Sequence, residues 1–276
     1  YTLWHTLSLH DALPIYEFLD HWVEDWEGVS MKATLSQTVF AQCHTHGGSA
    51  SRPQWNSDRD ANGWPPEQRN EALRIIRKAH AFMLAGDNHL PTVVHHGIDT
   101  WEDAGISFTV PSIAAGFPRA WWPDRTGLEK YPGLPEYFTE QKESSELPDY
   151  VGRFYSPRKH PITMLAAANP EIFVGHWQTT TGDFELLEEK RSGFGLVRFN
   201  TPTREITIEC YPILATINDS VKEQYDGWPV KLNQKMNYFR DHIGYLKEIS
   251  IEGENDPVLK VYKEKSGELV YAIRLR

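Results

Sequence analysis

An α/β layered domain is what the sequence predicts. A mostly apolar, β-branched run near residues 33–41 is followed by a long polar loop, an amphipathic stretch that begins at Pro66, and a second short apolar run at residues 81–85. Strand, loop, helix, strand is the order of layered α/β folds, whose ligands gather beyond the carboxyl ends of the strands. Two clusters of ligand-capable side chains stand at such places: CHTHGG at residues 43–48 and GDNH at residues 86–89.

The elements follow from periodicity and punctuation. The first fifteen residues, YTLWHTLSLHDALPI, resemble a translated sequencing adapter, so residues 1–15 are expected to be a non-native leader with few contacts to the rest. Phe18, Leu19, Trp22, Val23 and Trp26 recur at helical spacing, and Gly28 stops that helix. After the first strand, residues 45–63 are rich in Gly, Ser and Asn and predict a loop. Pro66 suits the first turn of the next helix, Glu67 its positive end, and Leu73, Ile76 and Ala79 share one face. His80 marks the corner into the strand at residues 81–85, after which Gly86 is expected to let the chain turn sharply. In TVVHHG, His95 and His96 fall on opposite faces of a strand.

The later half reads differently. Residues 124–160 are proline-rich and polar, which predicts a long excursion or lid. LVRFN and REITIECYPIL predict a hairpin closed by Thr201 to Thr203, with Ile206, Ile208 and Cys210 alternating against Thr207 and Glu209. From residue 247 onward, three short alternating strands predict the start of a small antiparallel, sandwich-like module that ends at Arg276 in mid-pattern. The expected organisation is therefore a leader at 1–15, a main domain at 16–246 and a further β module at 247–276.

Composition removes several function classes. The chain has 276 residues with 40% hydrophobic and 12% aromatic content, enough for a packed core. Against 28 basic residues stand 38 acidic ones, and a net charge of -10 repels a nucleic-acid backbone. No apolar run approaches the roughly 20 residues a bilayer span needs. Cys43 and Cys210 lie outside any C-x-x-C spacing, so neither a zinc knuckle nor a disulfide framework is indicated.

The two polar clusters carry the chemistry. Six of the 12 histidines fall between residues 44 and 96, and imidazole with carboxylate is the donor set of transition-metal and zinc sites. Asp87 and His89, at positions i and i+2 past a strand, are expected to share a side and reach one ion. His46 or His95 could donate a proton to a leaving group, and Arg69 or Arg119 could balance phosphate charge. Plainer readings stand beside these. Asp87 could cap its own turn, His89 beside Leu90 could be a hydrogen-bonded core histidine, and His80 is expected to be structural. Trp121 and Trp122 either line a substrate mouth or wedge a loop against the core, and Cys43 reads better as a small buried thiol than as a nucleophile.

KATLSQTVFAQ, the stretch DANGWPPEQRNEALRIIRKAHAFMLAGDNHLPTVVHHGIDTWEDAGISFTVPSIAAGFPRAWWP, and later AAANP, SGFGLVRFN and ECYP together resemble the alkaline phosphatase D (PhoD-like) branch of the metallophosphoesterases. The resemblance runs over most of residues 17–276, and GDNHL is its most specific piece. It implies the C-terminal part of a four-layer α/β sandwich, a phosphate ester as substrate, and secretion or a periplasmic location. It also implies two metal ions, drawn from Fe, Ca, Zn or Mn, that clamp the phosphate oxygens and acidify an attacking water. By the same resemblance Asp87 and His89 match a late metal-binding motif, while His46, Asp60 (a further ligand) and Asn62 (a substrate contact) match loop positions facing that pocket. Where the family takes several ligands from an earlier half built on GD-x-x-D and GNH motifs, no such series precedes residue 43. The metal site is thus expected to be incomplete, the fold to keep an open apolar edge, and turnover by this chain to be slight. The alternative is a non-catalytic binding module on a phosphatase-like scaffold.

Overall fold

The computed structural model describes residues 14–47, 63–114, 119–123, 150–170, 188, 191–216, 223–240, 244–245, 247, 251–253 and 255–275, with the backbone alone for His46 and Gly47. The expectations for residues 1–13, for Asp60 and Asn62, and for most of the excursion at 124–149 lie outside these residues.

Helix α1 covers residues 14–24 and buries Val23 while Trp26, just past its end, turns its indole back to donate to the Val23 carbonyl at 3.0 Å. Gly28 then takes a φ of 65°, the left-handed stop that its position predicts. Strand β1 (Ala33–Thr38) follows, and after a long loop helix α2 (Pro66–Ile76) starts on Pro66 with Glu67 in its first turn. Leu73 and Ile76 of α2 are buried, as is Ala79 in the short 3-10 turn beyond it. His80 ends that turn in the left-handed region, packed between the rings of Tyr238 and Tyr271, so it is a structural corner.

Strands β3 (Phe82–Gly86), β4 (Thr92–His96), β5 (Ile106–Thr109), β7 (Gly152–Tyr155) and β8 (Pro161–Ala167) join β1 in one six-stranded mixed sheet ordered β1-β3-β5-β4-β8-β7. β1, β3 and β5 run parallel, and the remaining pairings are antiparallel. A two-stranded pairing of β2 (His46–Gly47) with β6 (Arg119–Ala120) stands apart from it. The stretch predicted as an excursion as far as residue 160 instead enters the sheet at Gly152, where Phe154 is buried against Trp121.

The second sheet is antiparallel, in the order β11-β10-β9, from β9 (Gly193–Asn200), β10 (Glu205–Pro212) and β11 (Val230–Asn233). The β9–β10 hairpin closes through residues 201–204, one residue beyond the expected Thr201 to Thr203, with Asn200 opposite Glu205. Ile206, Ile208 and Cys210 are fully buried, and the intervening Thr207 and Glu209 are not.

Alternation along the strands explains the layering, since successive side chains point to opposite faces. Phe82, Val93, Ile106, Phe108 and Leu165 meet Ile206, Ile208, Val230 and Leu232 of the second sheet in one apolar cluster. Met83, on the other face, meets Val23, Trp26, Leu73, Ile75 and Ile76 from the helices. Helix, sheet, sheet is the resulting mixed α/β order. The last strands, β12 (Val258–Tyr262) and β13 (Leu269–Arg274), form an antiparallel pair whose Leu269 and Ala272 belong to the helix-side cluster. β1 is an edge strand; among the described residues no strand pairs with its outer side, and Leu35 is 84% exposed there. No helix among the described residues is long and apolar enough to cross a membrane.

Candidate functional site

The two polar clusters do follow neighbouring parallel strands, β1 and β3, and so arrive at one edge of the sheet. Gly86 ends β3 where a Cβ would stand 3.3 Å from the Gln37 carbonyl, so its contribution is close approach to β1. The turn itself is made by Asp87 at φ 49° and His89 at φ 53°, both left-handed. Non-glycine residues pay for that conformation, and such strain collects at ligand sites. The consequence is convergence: Asp87 Oδ1 and His89 Nε2 are 3.7 Å apart, with the Asp87 side chain exposed and that of His89 half-buried. The shared side expected from strand alternation is therefore reached by a different route, a tight turn.

Between them Asn88 points inward and is fully buried. Its Nδ2 donates to the Leu90 carbonyl at 3.2 Å, which leaves Oδ1 to accept from His44 Nδ1 at 2.9 Å. That orientation assigns the His44 proton to Nδ1 and the lone pair to Nε2. Burial, followed by the charge of Arg119, pushes the His44 pKa down to about 3 against the opposing Asn88 bond, so the ring is neutral at pH 7. Of the CHTHGG histidines the sequence favoured His46; the structure supplies a defined role for His44. The side chain of His46 lies outside the described residues, though its backbone pairs with Ala120.

This pairing ties the two loops together. Thr45 N donates to the Ala120 carbonyl at 2.9 Å, and Trp122 N donates to Thr45 Oγ1 at 2.8 Å. Trp121 is buried as a wedge, its indole donating to the Tyr150 carbonyl and its backbone held by both ends of the Asn169 amide. Arg119 is thereby set opposite Gly47, close enough to His44 to act on its ring.

Two expected site residues are placed elsewhere. Arg69 is buried, and its guanidinium donates to the Phe40 carbonyl at 2.8 Å, the Gly97 carbonyl at 2.7 Å and Asn70 Oδ1 at 2.8 Å. It positions chain segments and does not meet a substrate phosphate. His95 faces the second sheet, with Nε2 3.0 Å from the Ala104 carbonyl, and burial first of all lowers its pKa to about 4. Thr92 is level with Thr109 and hence with Ala85, so His95 sits three residues back along β4, roughly 10 Å from the strand end that carries Asp87. Proton donation from His95 to a centre at Asp87 is excluded by that separation. His96 takes the opposite face, as predicted, bonded to Ser107 Oγ at 2.8 Å. Cys43 is fully buried and burial raises its pKa to about 12, which makes it an inert thiol.

Among the described residues no group of three or more His, Cys, Asp or Glu side chains is arranged to hold a metal ion. Compared with family models, with curated proteins and with solved structures, the chain finds no match.

Proposed function

We propose that the chain carries the late metal-binding segment of a metal-dependent phosphoester hydrolase of the alkaline phosphatase D type, built on a four-layer α/β sandwich. The observation that carries this reading is the meeting of Asp87 Oδ1 and His89 Nε2 at 3.7 Å on a turn of two left-handed residues. A carboxylate oxygen and an imidazole nitrogen suit the borderline and hard cations of such enzymes. Asp87 and His89 would hold an ion there, and Asn88 fixes the neighbouring imidazole as outer partners of metal sites do. A bound cation supplies Lewis-acid polarisation of the phosphoryl group. The chain's own part is orientation and charge. His44, neutral and held by Asn88, offers a lone pair and no acidic proton near pH 7, while Arg119 offsets the charge of a phosphoryl oxygen.

Metal uptake is the direct test. Calorimetric titration with Zn2+ or Mn2+ is expected to show binding that Asp87→Asn and His89→Asn each weaken by at least about tenfold, the scale at which support of a metal site is lost. Hydrolysis of p-nitrophenyl phosphate or its bis ester is expected only with metal present, and slow in this chain. Equal metal affinity in both variants, or equal rates with and without chelator above background, overturns the reading. Metal and phosphate binding with no hydrolysis under any loading would instead favour a non-catalytic binding module.

A further inference from the structure

The 3-10 turn after α2, a second 3-10 helix at Gln234–Tyr238 and strand β13 meet around His80. The His80 ring centroid lies 5.9 Å from that of Tyr238 and 5.5 Å from that of Tyr271. Two guanidinium groups lie over the Tyr238 ring, Arg77 at 4.8 Å and Arg240 at 3.8 Å from its centroid. Arg240 is also 5.6 Å from the ring centroid of Tyr271, so the cluster is continuous.

The two arginines differ in what holds them. Arg77 is half-buried, and its Nη1 donates to the Asp103 carbonyl at 2.8 Å and to Asp103 Oδ2 at 3.3 Å. Arg240 is exposed and rests on the two tyrosine rings, with no ion pair or hydrogen bond from its side chain among the described residues. Lys235 is exposed as well, three residues before Tyr238 in a helix of three residues per turn, so the two project from one side. Its ammonium likewise has no carboxylate partner among the described residues. Phe239, next to both Tyr238 and Arg240 in the chain, is 46% exposed.

Within a chain of net charge -10, these two unpaired cations beside aromatic rings form a local inversion of sign. A guanidinium seated over a ring is held in place while its N–H edge stays available, and that edge matches the two oxygens of a carboxylate. Tyrosine and arginine are the residues enriched where proteins meet. Two cations are few for a nucleic-acid backbone, whose binding grows with the number of phosphates neutralised.

We propose that Arg240, Lys235, Tyr238 and Tyr271 form a docking surface for an acidic, partly apolar segment of a partner protein. A carboxylate of the partner pairs with the Arg240 fork, Lys235 offsets a second one, and apolar side chains lie on the tyrosine rings and Phe239. His80 precedes β3 and Asp87 follows it, so the surface lies roughly 20 Å along that strand from the Asp87–His89 turn. It neither uses that turn nor rests on the phosphoester reading.

The probe is a blocked synthetic peptide that alternates glutamate with leucine, added at low ionic strength to the full chain, with binding followed by calorimetry and by the ring signals of Tyr238 and Tyr271. Binding is expected, with both sets of signals shifting. Arg240→Met should weaken it at least about fivefold and Lys235→Met about twofold, the scales of an interface anchor and of an exposed pair. Arg240→Lys, which keeps the charge without the fork, should recover only part of the loss. Arg198→Met removes an exposed arginine that already pairs with Glu209 and should change nothing. Tyrosine signals that stay fixed at saturation, equal binding of the same peptide with glutamine for glutamate, or an equal loss in Arg198→Met overturns the proposal. So does a single-stranded oligonucleotide that shifts the same signals with higher affinity, which would make the surface a nucleic-acid site. Tyrosine signals that move with protein concentration alone, and no longer do so in Arg240→Met, would make the occupant a second copy of this chain and overturn it too.

Discussion

Glu102→Gln lowers the unfolding free energy by about 3 kcal/mol at neutral pH, the loss seen when one partner of a buried ion pair is removed. Glu102 sits in the loop between β4 and β5 at a φ of 69° and is 4% exposed. Its carboxylate accepts from Arg153 Nε at 2.9 Å and Nη2 at 2.8 Å, a two-pronged pair, and from Thr163 Oγ1 at 2.8 Å. Burial by itself would raise the carboxyl pKa. The hydrogen bonds from Arg153 and Thr163, with the charges of His95 and Arg153, outweigh it and hold the pKa below the ordinary glutamate value. A carboxyl depressed in the folded state contributes stability that is complete above its unfolded pKa and is lost as pH falls through the folded one. The native chain should therefore lose stability on acidification below about pH 4.3, the unfolded glutamate value, with a slope that the glutamine variant lacks. Urea unfolding at a series of pH values measures both. Parallel stability-pH curves for the two proteins would mean that Glu102 is not the group responsible.

That pair also shows what sequence could and could not reveal. Glu102 and Arg153 are 51 residues apart, and nothing local in WEDAG or in GRFY announces their meeting. β7 was hidden for a related reason: four residues at the end of a proline-rich stretch carry too little periodicity to stand out, and pairing with β8 makes the strand. Local signals fared better. The α2 face, the β9–β10 hairpin and the opposite facing of His95 and His96 are set by spacings of two to four residues, and they are where the pattern puts them.

At the candidate site the split falls between residue type and commitment. GDNH after a strand pointed to a turn that carries ligand-capable side chains, and those of Asp87 and His89 do approach each other there. Arg69 and His95 had the right chemistry for a phosphate site, but the Arg69 guanidinium is engaged by the carbonyls of Phe40 and Gly97, and His95 Nε2 by that of Ala104. His44 was passed over for His46 because its partner, Asn88, is 44 residues away, and the burial that makes it neutral is a property of the folded chain. Nothing in GDNH itself shows that Asn88 turns inward to meet His44; the fold sets that.

Gly195→Ala is expected to destabilise the fold by about 1–3 kcal/mol, the usual penalty for forcing a methyl into a filled core. Gly195 lies in β9, where an added Cβ would stand 2.4 Å from Phe108 Cε1 and 2.7 Å from Cζ. Phe108 is in β5 with no exposed surface, enclosed by apolar side chains of both sheets, so its ring has no free rotamer into which to retreat. The missing side chain at 195 is what lets the two sheets close over that ring. Truncation from the other side is costly as well: Phe108→Ala should lose about 3–5 kcal/mol through lost burial and a residual cavity. The pair then predicts coupling with a definite sign. In a Phe108→Leu background the ring edge that the alanine would strike is gone, so Gly195→Ala should cost at least about 1 kcal/mol less than it does in the native chain, within the range measured for residues in contact. Unfolding midpoints of the four proteins at equal m-values give that coupling directly. Penalties that simply add would show that β9 does not close over Phe108, and with it that the facing of the two sheets is wrong at this point.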